Sequence, residues 1–525
     1  MKRHLRRLAN RLLPLRLFLD RLLHSPFFNG ADTRLFKSRF AHDHEQEPLL
    51  GGTTPAFGRS LHIGVGAYDR VLRISPTQTR PEIGGVLMSA PPRGGKSLGA
   101  TVDLLTFQGS VIVNDTKGEL RARTAGFRAT FSKVITLDFR GRGNRFDPLA
   151  NCSTEEDFRE MAMHLLRGPK QREDDPFLRR AINMLTALFQ AGHFEGYPLL
   201  PYSANLLHLG PEEVALRLQT VSERFHLREG NNLTTRFLDK PLHTADFSDR
   251  YFQSAWSTLT ATAAPLITET VLKSLTGSDF TIEELRCGTK ELRDGKPLSR
   301  PVTIYLIFPE SRLHGLHPLV RFIWGSLLDQ LIQLYDDRLG EGCQDVLALI
   351  DEAGAAPLPS LPRYSATAAG RRIILKVIVQ DHNQLKSEYG EYNATTIINN
   401  MDTQIFLRQN GTETAEYLQK RTGFQSAFAH SISVRGDHQT GEGQMEQAVP
   451  LVTIPEMAEL DDTDCIILHR NLKPIRAKRM DPRNYPTLTA SMAMPPPELP
   501  TLASIPEILP VSQEAELPQR FGPVN

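Results

Sequence analysis

Cysteine is sparse. The four in this 525-residue chain, Cys152, Cys287, Cys343 and Cys465, stand far apart and form no CxxC pair or Cys/His cluster of zinc spacing. A disulfide scaffold is excluded, and a reducing, cytosolic compartment is the natural expectation. Long apolar runs are missing as well. The best, Val302–Phe308 and Ile373–Val379, are strand-sized, well short of the roughly 18–20 residues that a membrane span needs. The chain is not expected to cross a bilayer by itself. Charge of one sign is absent too: 61 basic against 60 acidic side chains leave a net +1. That argues against a generally basic nucleic-acid coat, though not against a local basic track or channel. No internal repeat is found.

What is present looks globular. With 40% hydrophobic and 23% charged residues, the chain is long enough for about three domains that each bury a core. The balanced charge hides one asymmetry. Met1–His24 carries seven Lys/Arg against the single Asp20, with Leu5, Leu8, Leu12, Leu19 and Leu22 at near-helical spacing. A basic amphipathic helix of this kind suits an anionic membrane surface or a partner helix; the same stripe also fits an ordinary solvated helix packed on the domain behind it. Pro14 interrupts the pattern, and no A-x-A site follows, so a cleaved signal peptide is not expected.

Short apolar runs then recur: Leu61–Ile74 in strand-like alternation, Gly84–Ala90, Ser110–Asn114 ending at Asp115, and Lys133–Leu137 ending at Asp138. The same style returns at Val302–Phe308, Val346–Ile350, Ile373–Val379 and Gln404–Leu407. Apolar strands that finish in a carboxylate or a glycine turn, separated by helical-length stretches, predict a parallel α/β sheet built from both ends of the chain. Between them, Glu155–Arg167, Phe177–Ala191, Pro211–Arg228 and Phe247–Leu275 have helical periodicity. An inserted all-α domain is expected there, with Trp256 as a core anchor. From Pro482 to Asn525, ten prolines in 44 residues predict a disordered tail. The expected boundaries are a basic N-terminal segment at 1–41, the first part of an α/β domain at 42–153, the all-α domain at 154–286, the second α/β part at 287–481 and the tail at 482–525.

Two motifs carry chemistry. Ala90–Thr101, APPRGGKSLGAT, follows a predicted strand and opens a helix. Phosphate oxygens are held by backbone N–H groups converging at a helix N-terminus, and glycine lets the chain come that close. Pro91, Pro92, Arg93, Gly94, Gly95, Lys96, Ser97 and Leu98 therefore form a candidate phosphate loop. Lys96 would reach the β- and γ-phosphates and Ser97 would coordinate Mg²⁺. The first glycine of the usual GxxxxGK[ST] pattern is Ala90, which does not tolerate a positive φ. The second motif is Val346–Glu352, VLALIDE. In a nucleotide hydrolase the first acid, here Asp351, sits near Mg²⁺, and the second, Glu352, polarises the attacking water. Gln380, at the end of the next apolar strand, is placed to contact γ-phosphate or water. Arg371–Arg372, just before that strand, offers a guanidinium to a neighbouring subunit's site. Each of these alone has a plain structural reading; their combination points to ATP and Mg²⁺.

With these elements in order, the chain resembles the type IV secretion coupling proteins, conjugative DNA-transfer ATPases of the RecA-like translocase class. The resemblance runs from about Leu61 to Tyr485. It includes VNDTKGELRARTAGFR (Val113–Arg128, with Thr116 where the family has proline), NRFDPLA (Asn144–Ala150), Ile350–Gly390 with its QDHNQL segment, TETAEYLQKRT (Thr412–Thr422) and PLVTIPEMAEL (Pro450–Leu460). It implies a RecA-like P-loop domain with an inserted all-α domain, ATP hydrolysis at subunit boundaries of a homo-hexamer, and a cargo of single-stranded DNA with its relaxase, or an effector protein. The cargo would pass to a type IV secretion channel. On that model Lys96, Ser97, Asp351, Glu352 and Gln380 act in cis, and Arg371, or alternatively Arg372, acts in trans. Many relatives carry a pair of membrane helices that this sequence lacks. The expectation is therefore a cytoplasmic protein, attached at the inner face of the membrane only through its basic helix or a separate anchor protein. Two other readings stand beside it: a cytosolic translocase resembling the FtsK and HerA class, and a docking adaptor with a weak ATPase core.

Overall fold

The computed structural model describes residues 2–25, 34–168, 174–228, 231–264, 268–293, 296–308, 313–353, 358–434 and 440–502. Its first strands are β1 (Leu61–Val65), β2 (Val71–Ile74), β3 (Val86–Ser89), β4 (Ser110–Asn114), β5 (Lys133–Asp138) and β6 (Arg142–Gly143). A small hairpin, β7 (Glu291–Arg293) and β8 (Lys296–Leu298), precedes β9 (Val302–Ile307), β10 (Val346–Ile350), β11 (Ile373–Val379) and β12 (Thr403–Phe406). A long hairpin follows, β13 (Phe424–Val434) with β14 (Thr440–Pro450), and then β15 (Asp464–His469) and β16 (Ile475–Lys478).

Twelve of these form one sheet in the order β2-β1-β16-β15-β12-β3-β11-β10-β4-β9-β5-β6. From β12 to β5 every pairing is parallel, and the outer strands are antiparallel. A parallel strand covered on both faces is apolar wherever its side chains find no partner, which is why β10 reads as an unbroken apolar run, and β11 breaks its run only at Lys376, whose buried ammonium pairs with the buried Asp103; both strands are buried at every residue. The sheet does draw on both ends of the chain: β1–β6 precede the helical block, and β9–β12, β15 and β16 follow it.

Between β6 and β7 every described element is helical: Glu155–Leu166, Pro176–Glu195, Leu199–Leu209, Pro211–Arg224, Leu233–Leu238, Arg250–Ala263, Glu269–Ser274 and Ile282–Cys287. Local chemistry sets their ends. Thr154 forms a reciprocal capping box with Asp157, and Asp175 caps the next helix, with Pro176 at its first position. Gly196 closes that helix in the left-handed conformation (φ 73°). Their apolar faces share one core with one face of the sheet. Trp256 sits at the edge of that core against Phe237 and Phe252, as expected of an anchor.

Four expectations are corrected. The single helix expected over Phe247–Leu275 is two, Arg250–Ala263 and Glu269–Ser274. The N-terminal helix α1 (Lys2–Leu23) runs through Pro14, since a proline removes one hydrogen bond without obliging a helix to stop. The β13–β14 hairpin was not expected: β13 places Phe424, Phe428, Ile432 and Val434 at alternate positions, but β14 carries no matching apolar pattern. The tail does not begin at Pro482. A 3-10 turn at Pro482–Asn484 leads to a helix, Pro486–Met492, whose Leu488 is buried beside Val102, Leu105 and Tyr485. Pro486 stands at the first helical position, where proline costs nothing. Residues 503–525 lie outside the described residues. No described helix is long and apolar enough to cross a membrane, and all four cysteines are free thiols.

Candidate functional site

The C-terminal ends of β3, β11, β10 and β4 lie side by side, and the candidate residues gather there. After β3, the Ala90 N–H donates to the Val379 carbonyl at 3.0 Å, which keeps the loop start pinned to β11. The Gly94 N–H then donates to the Pro91 carbonyl at 2.9 Å, closing a tight turn. Left-handed backbone falls on Arg93 (φ 64°) and Gly95 (φ 91°) and not on Ala90, so the alanine in the first position introduces no strain. Gly95 is required by its φ, which disfavours a side chain, and a Cβ there would also push aside the Arg479 guanidinium that braces the loop. The helix Lys96–Thr106 starts at once, and its free N–H groups face the loop.

Opposite the loop stand the acids. Glu352 holds a left-handed backbone (φ 56°), a conformation that costs an ordinary residue roughly 1–2 kcal/mol, and its Oε1 accepts a hydrogen bond from Lys96 Nζ at 2.7 Å. Asp351 follows the last residue of β10. Its backbone carbonyl accepts from Asn114 Nδ2 at 2.9 Å, while its Oδ1 is buried with no hydrogen-bond partner. Burial pushes the Asp351 carboxyl up to about 6; Lys96 opposes the shift, and the neighbouring Glu352 and Asp115 add to it. Asp115, at the end of β4, is buried and also raised by burial, and it accepts the Arg121 N–H at 2.7 Å.

Loop and acids enclose a cavity of about 400 Å³. Lys96, Ser97, Asp115, Asp351 and Glu352 line it, and Arg93, Lys117 and Arg123 add basic groups. The arrangement suits a polyphosphate with a hard cation. The Asp351 carboxylate, beside Glu352 and Asp115, keeps a buried oxygen with no partner, which points to a missing positive group, and the Ser97 hydroxyl supplies a further oxygen ligand. Ser97 and Asp351 are thus the residues that fit Mg²⁺.

The structure brings together Lys96, Ser97, Asp351 and Glu352. Pro92, Arg93, Gly95 and Leu98 also line the cavity, while Pro91 and Gly94 shape the turn beneath it. Gln380 ends β11 beside Ala90, but it does not line the cavity, and its N–H is taken by Gln384 Oε1 at 2.9 Å. Arg371 and Arg372 are not in the cavity of their own chain. They precede β11, one strand length, roughly 20 Å, from its cavity end. Arg371 is paired with Asp336 at 2.9 Å, and Arg372 with Asp345 at 2.8 Å.

Three contributors escaped sequence reasoning. Asp115 has the same strand-end signal as Asp351 but was read only as a strand terminus. Arg479 Nη1 donates to the Gly94 carbonyl at 2.9 Å, bracing the loop from 385 residues away with no motif around it. The buried Gln409 donates through Nε2 to the Ser89 carbonyl at 3.0 Å, fixing the strand end from which the loop springs.

Comparisons with known proteins agree with this geometry. A family model described as Type IV secretory system Conjugative DNA transfer matches residues 76–490. The protein VirD4 of Rhizobium radiobacter is 26% identical over 412 residues, covering 75% of this chain; the chain spans only 56% of that relative's length. Among solved structures, the unbound bacterial conjugative coupling protein TrwBdeltaN70 superposes with a TM-score of 0.61 at 15% identity, covering 86% of this chain and 94% of that one. The plasmid coupling protein TrwB in complex with ADP and Mg²⁺ gives a TM-score of 0.57 at 14% identity, covering 75% and 84%. At these identities the structural likeness is one of fold: a RecA-like P-loop domain with an all-α domain.

Proposed function

Because the chain belongs to the Type IV secretory system conjugative DNA transfer family, we propose that it is an ATPase that moves DNA, as a single strand with its attached relaxase or another protein, to a type IV secretion channel. The observation that carries the enzymatic part is the Lys96–Glu352 pair beside the unpartnered Asp351 oxygen. A similar fold holds ADP and Mg²⁺, and the cavity here has the donors for both.

Each residue's part follows from its position. The loop N–H groups and Lys96 bind the phosphates, with Arg479 and Gly95 holding the loop in shape. Ser97 and Asp351 hold Mg²⁺, which when bound neutralises charge on the phosphate oxygens. Without nucleotide, Lys96 and Glu352 satisfy one another. An incoming γ-phosphate competes for Lys96, and the Glu352 carboxylate is then released to orient and polarise water. The latch thus makes the base available only when substrate is in place. Gln380, on the strand between loop and acid, relays that change to β11.

Arg371 acts in trans in a ring of identical subunits, proposed to be a hexamer. A residue on the far end of β11 reaches a γ-phosphate only if the site belongs to a neighbour, and it must first leave Asp336. Peripheral attachment to an anionic membrane surface is assigned to α1, which exposes Leu15, Phe18, Leu19 and Leu23 within the basic N-terminal segment.

DNA-stimulated ATP hydrolysis by the wild type, Lys96→Ala and Glu352→Gln tests the reading. Both variants are expected to lose at least about 100-fold in turnover. Equal background rates in all three would leave a docking scaffold and no motor. Mixing Arg371→Ala with Glu352→Gln chains should restore part of the activity, because some interfaces then combine an intact base with an intact arginine. No complementation at any ratio would remove Arg371 from the trans role.

A further inference from the structure

Away from the nucleotide cavity, Asp20, His24 and His44 form the group of described side chains placed to hold a metal ion: one carboxylate oxygen and one nitrogen from each imidazole lie within 4.8 Å of one another. Asp20 and His24 are four residues apart at the end of α1, so they share a face. His44 belongs to the 3-10 turn Asp43–Leu49 that α1 packs against. Asp20 Oδ2 accepts from both the backbone N–H and Nδ1 of His44 at 2.9 Å, and Asp20 Oδ1 lies 3.3 Å from His24 Nδ1. A third imidazole, His42, stacks on His24 with ring centroids 3.7 Å apart. Asp20 and His44 are half-buried and His24 is exposed, so the group is anchored on one side and open to solvent on the other.

We propose that Asp20, His24 and His44 bind a divalent transition-metal ion of the zinc class. The donor set decides the class. Two imidazoles and one carboxylate suit Zn²⁺, Co²⁺ or Ni²⁺, whereas Mg²⁺ and Ca²⁺ prefer oxygen alone. Zinc–ligand bonds of about 2.0–2.1 Å put tetrahedral ligands roughly 3.4 Å apart, so closing the group takes side-chain rotation that frees the His24 Nδ1 from its 2.8 Å hydrogen bond to the Asp20 carbonyl. The fourth position falls to water or to His42. The ion would join α1 to the chain 24 residues on, in addition to the Arg21–Glu47 pair and the Arg16 guanidinium over the Tyr68 ring. It would thereby set how firmly the exposed apolar side of α1 is presented. The group contains no cysteine, and its two halves, D-x₃-H and H-x-H, are ordinary in sequence when taken apart.

The test uses the full chain without an affinity tag, stripped with chelator and titrated with Co²⁺. The expected result is one Co²⁺ per chain with the strong visible absorption of a tetrahedral site, displaced by Zn²⁺. His24→Ala and His44→Ala each weaken binding by more than about 100-fold, beyond the cost of losing an outer hydrogen-bond partner. Excess Mg²⁺, which suits the oxygen ligands of the nucleotide cavity, leaves the band unchanged. His24 is exposed, so its variant folds whether or not metal binds. No visible band at equimolar Co²⁺, or an undiminished band in both histidine variants, would overturn the proposal and leave the group as a hydrogen-bonded anchor for α1.

Discussion

Strand β10 carries an acid at each end, and the fold treats the two in opposite ways. Asp345, just before the strand, is 4% exposed and accepts hydrogen bonds from both Arg59 and Arg372. Asp351, just after it, keeps a buried oxygen with no partner and faces two more carboxylates. Five apolar residues separate them. A protein that pairs one strand-end acid so fully has the means to pair the other. The unmatched acid therefore marks where binding, not folding, supplies the missing charge. The same contrast separates the arginines. Arg372 is locked to Asp345 at the filled end, while Arg479 braces the loop at the loaded end through a backbone carbonyl and leaves the acids alone.

The comparison can be broken at several points. The largest effect is expected at the loaded end with Gly95→Ala. The added methyl group meets Arg479 and strains a φ of 91°, and nucleotide affinity, measured by titration calorimetry, should fall about 100-fold, the equivalent of roughly 3 kcal/mol. An affinity within a factor of three of wild type would mean that the loop does not bind in this conformation. The smallest effect is expected from Ala90→Gly. The sequence pattern alone suggests that restoring the usual glycine would improve binding. The structure places the left-handed turn at Arg93 and Gly95, so affinity should change less than about twofold, and a buried alanine traded for glycine costs about 1 kcal/mol of stability at most. A tenfold gain in affinity would show that Ala90 is a defect after all.

Much of this site could be read before any coordinates, for a physical reason. Strands buried on both faces are apolar except where a buried partner meets a charge, as Asp103 meets Lys376, and the groups that act on phosphate stand where those strands stop, so GGVLMSA-PPRGGKS and VLALIDE announce themselves. What stayed hidden followed from other causes. Arg479 acts through one hydrogen bond from the residue just past β16, and nothing about an isolated arginine predicts that. Strand β14 is rich in polar and small residues, without the period-2 apolar signal. Helix Leu199–Leu209 was not among the expected helices, and Pro201 in its first turn stands where a proline is tolerated. Proline content conceals the order of 482–502, where Pro486 starts a helix and Leu488 ties it to the helix that begins at Lys96. Arg371 was named from its neighbourhood in sequence. Its place on the far end of β11 could only come from the parallel register.

The measurement that tests the account most directly compares Asp351→Asn with Asp345→Asn by thermal melting, with and without Mg·ATP. The folded-state pKa of Asp351 is raised from 3.8 to about 6. Its carboxylate therefore costs nothing below the unfolded value near 3.8, and stability is lost as the pH rises through about 6, by on the order of 2–3 kcal/mol in the nucleotide-free protein. Asp351→Asn should melt about 2–4 °C above wild type at pH 7.5, lose that advantage by pH 4, and gain nothing from Mg·ATP. Asp345→Asn should melt below wild type, by the equivalent of about 2 kcal/mol, because Arg59 and Arg372 lose their partner, and should still be stabilised by Mg·ATP. Destabilisation of both variants to the same degree, or a full Mg·ATP shift in Asp351→Asn, would contradict the claim that this end of the sheet is held unpaired for nucleotide and metal.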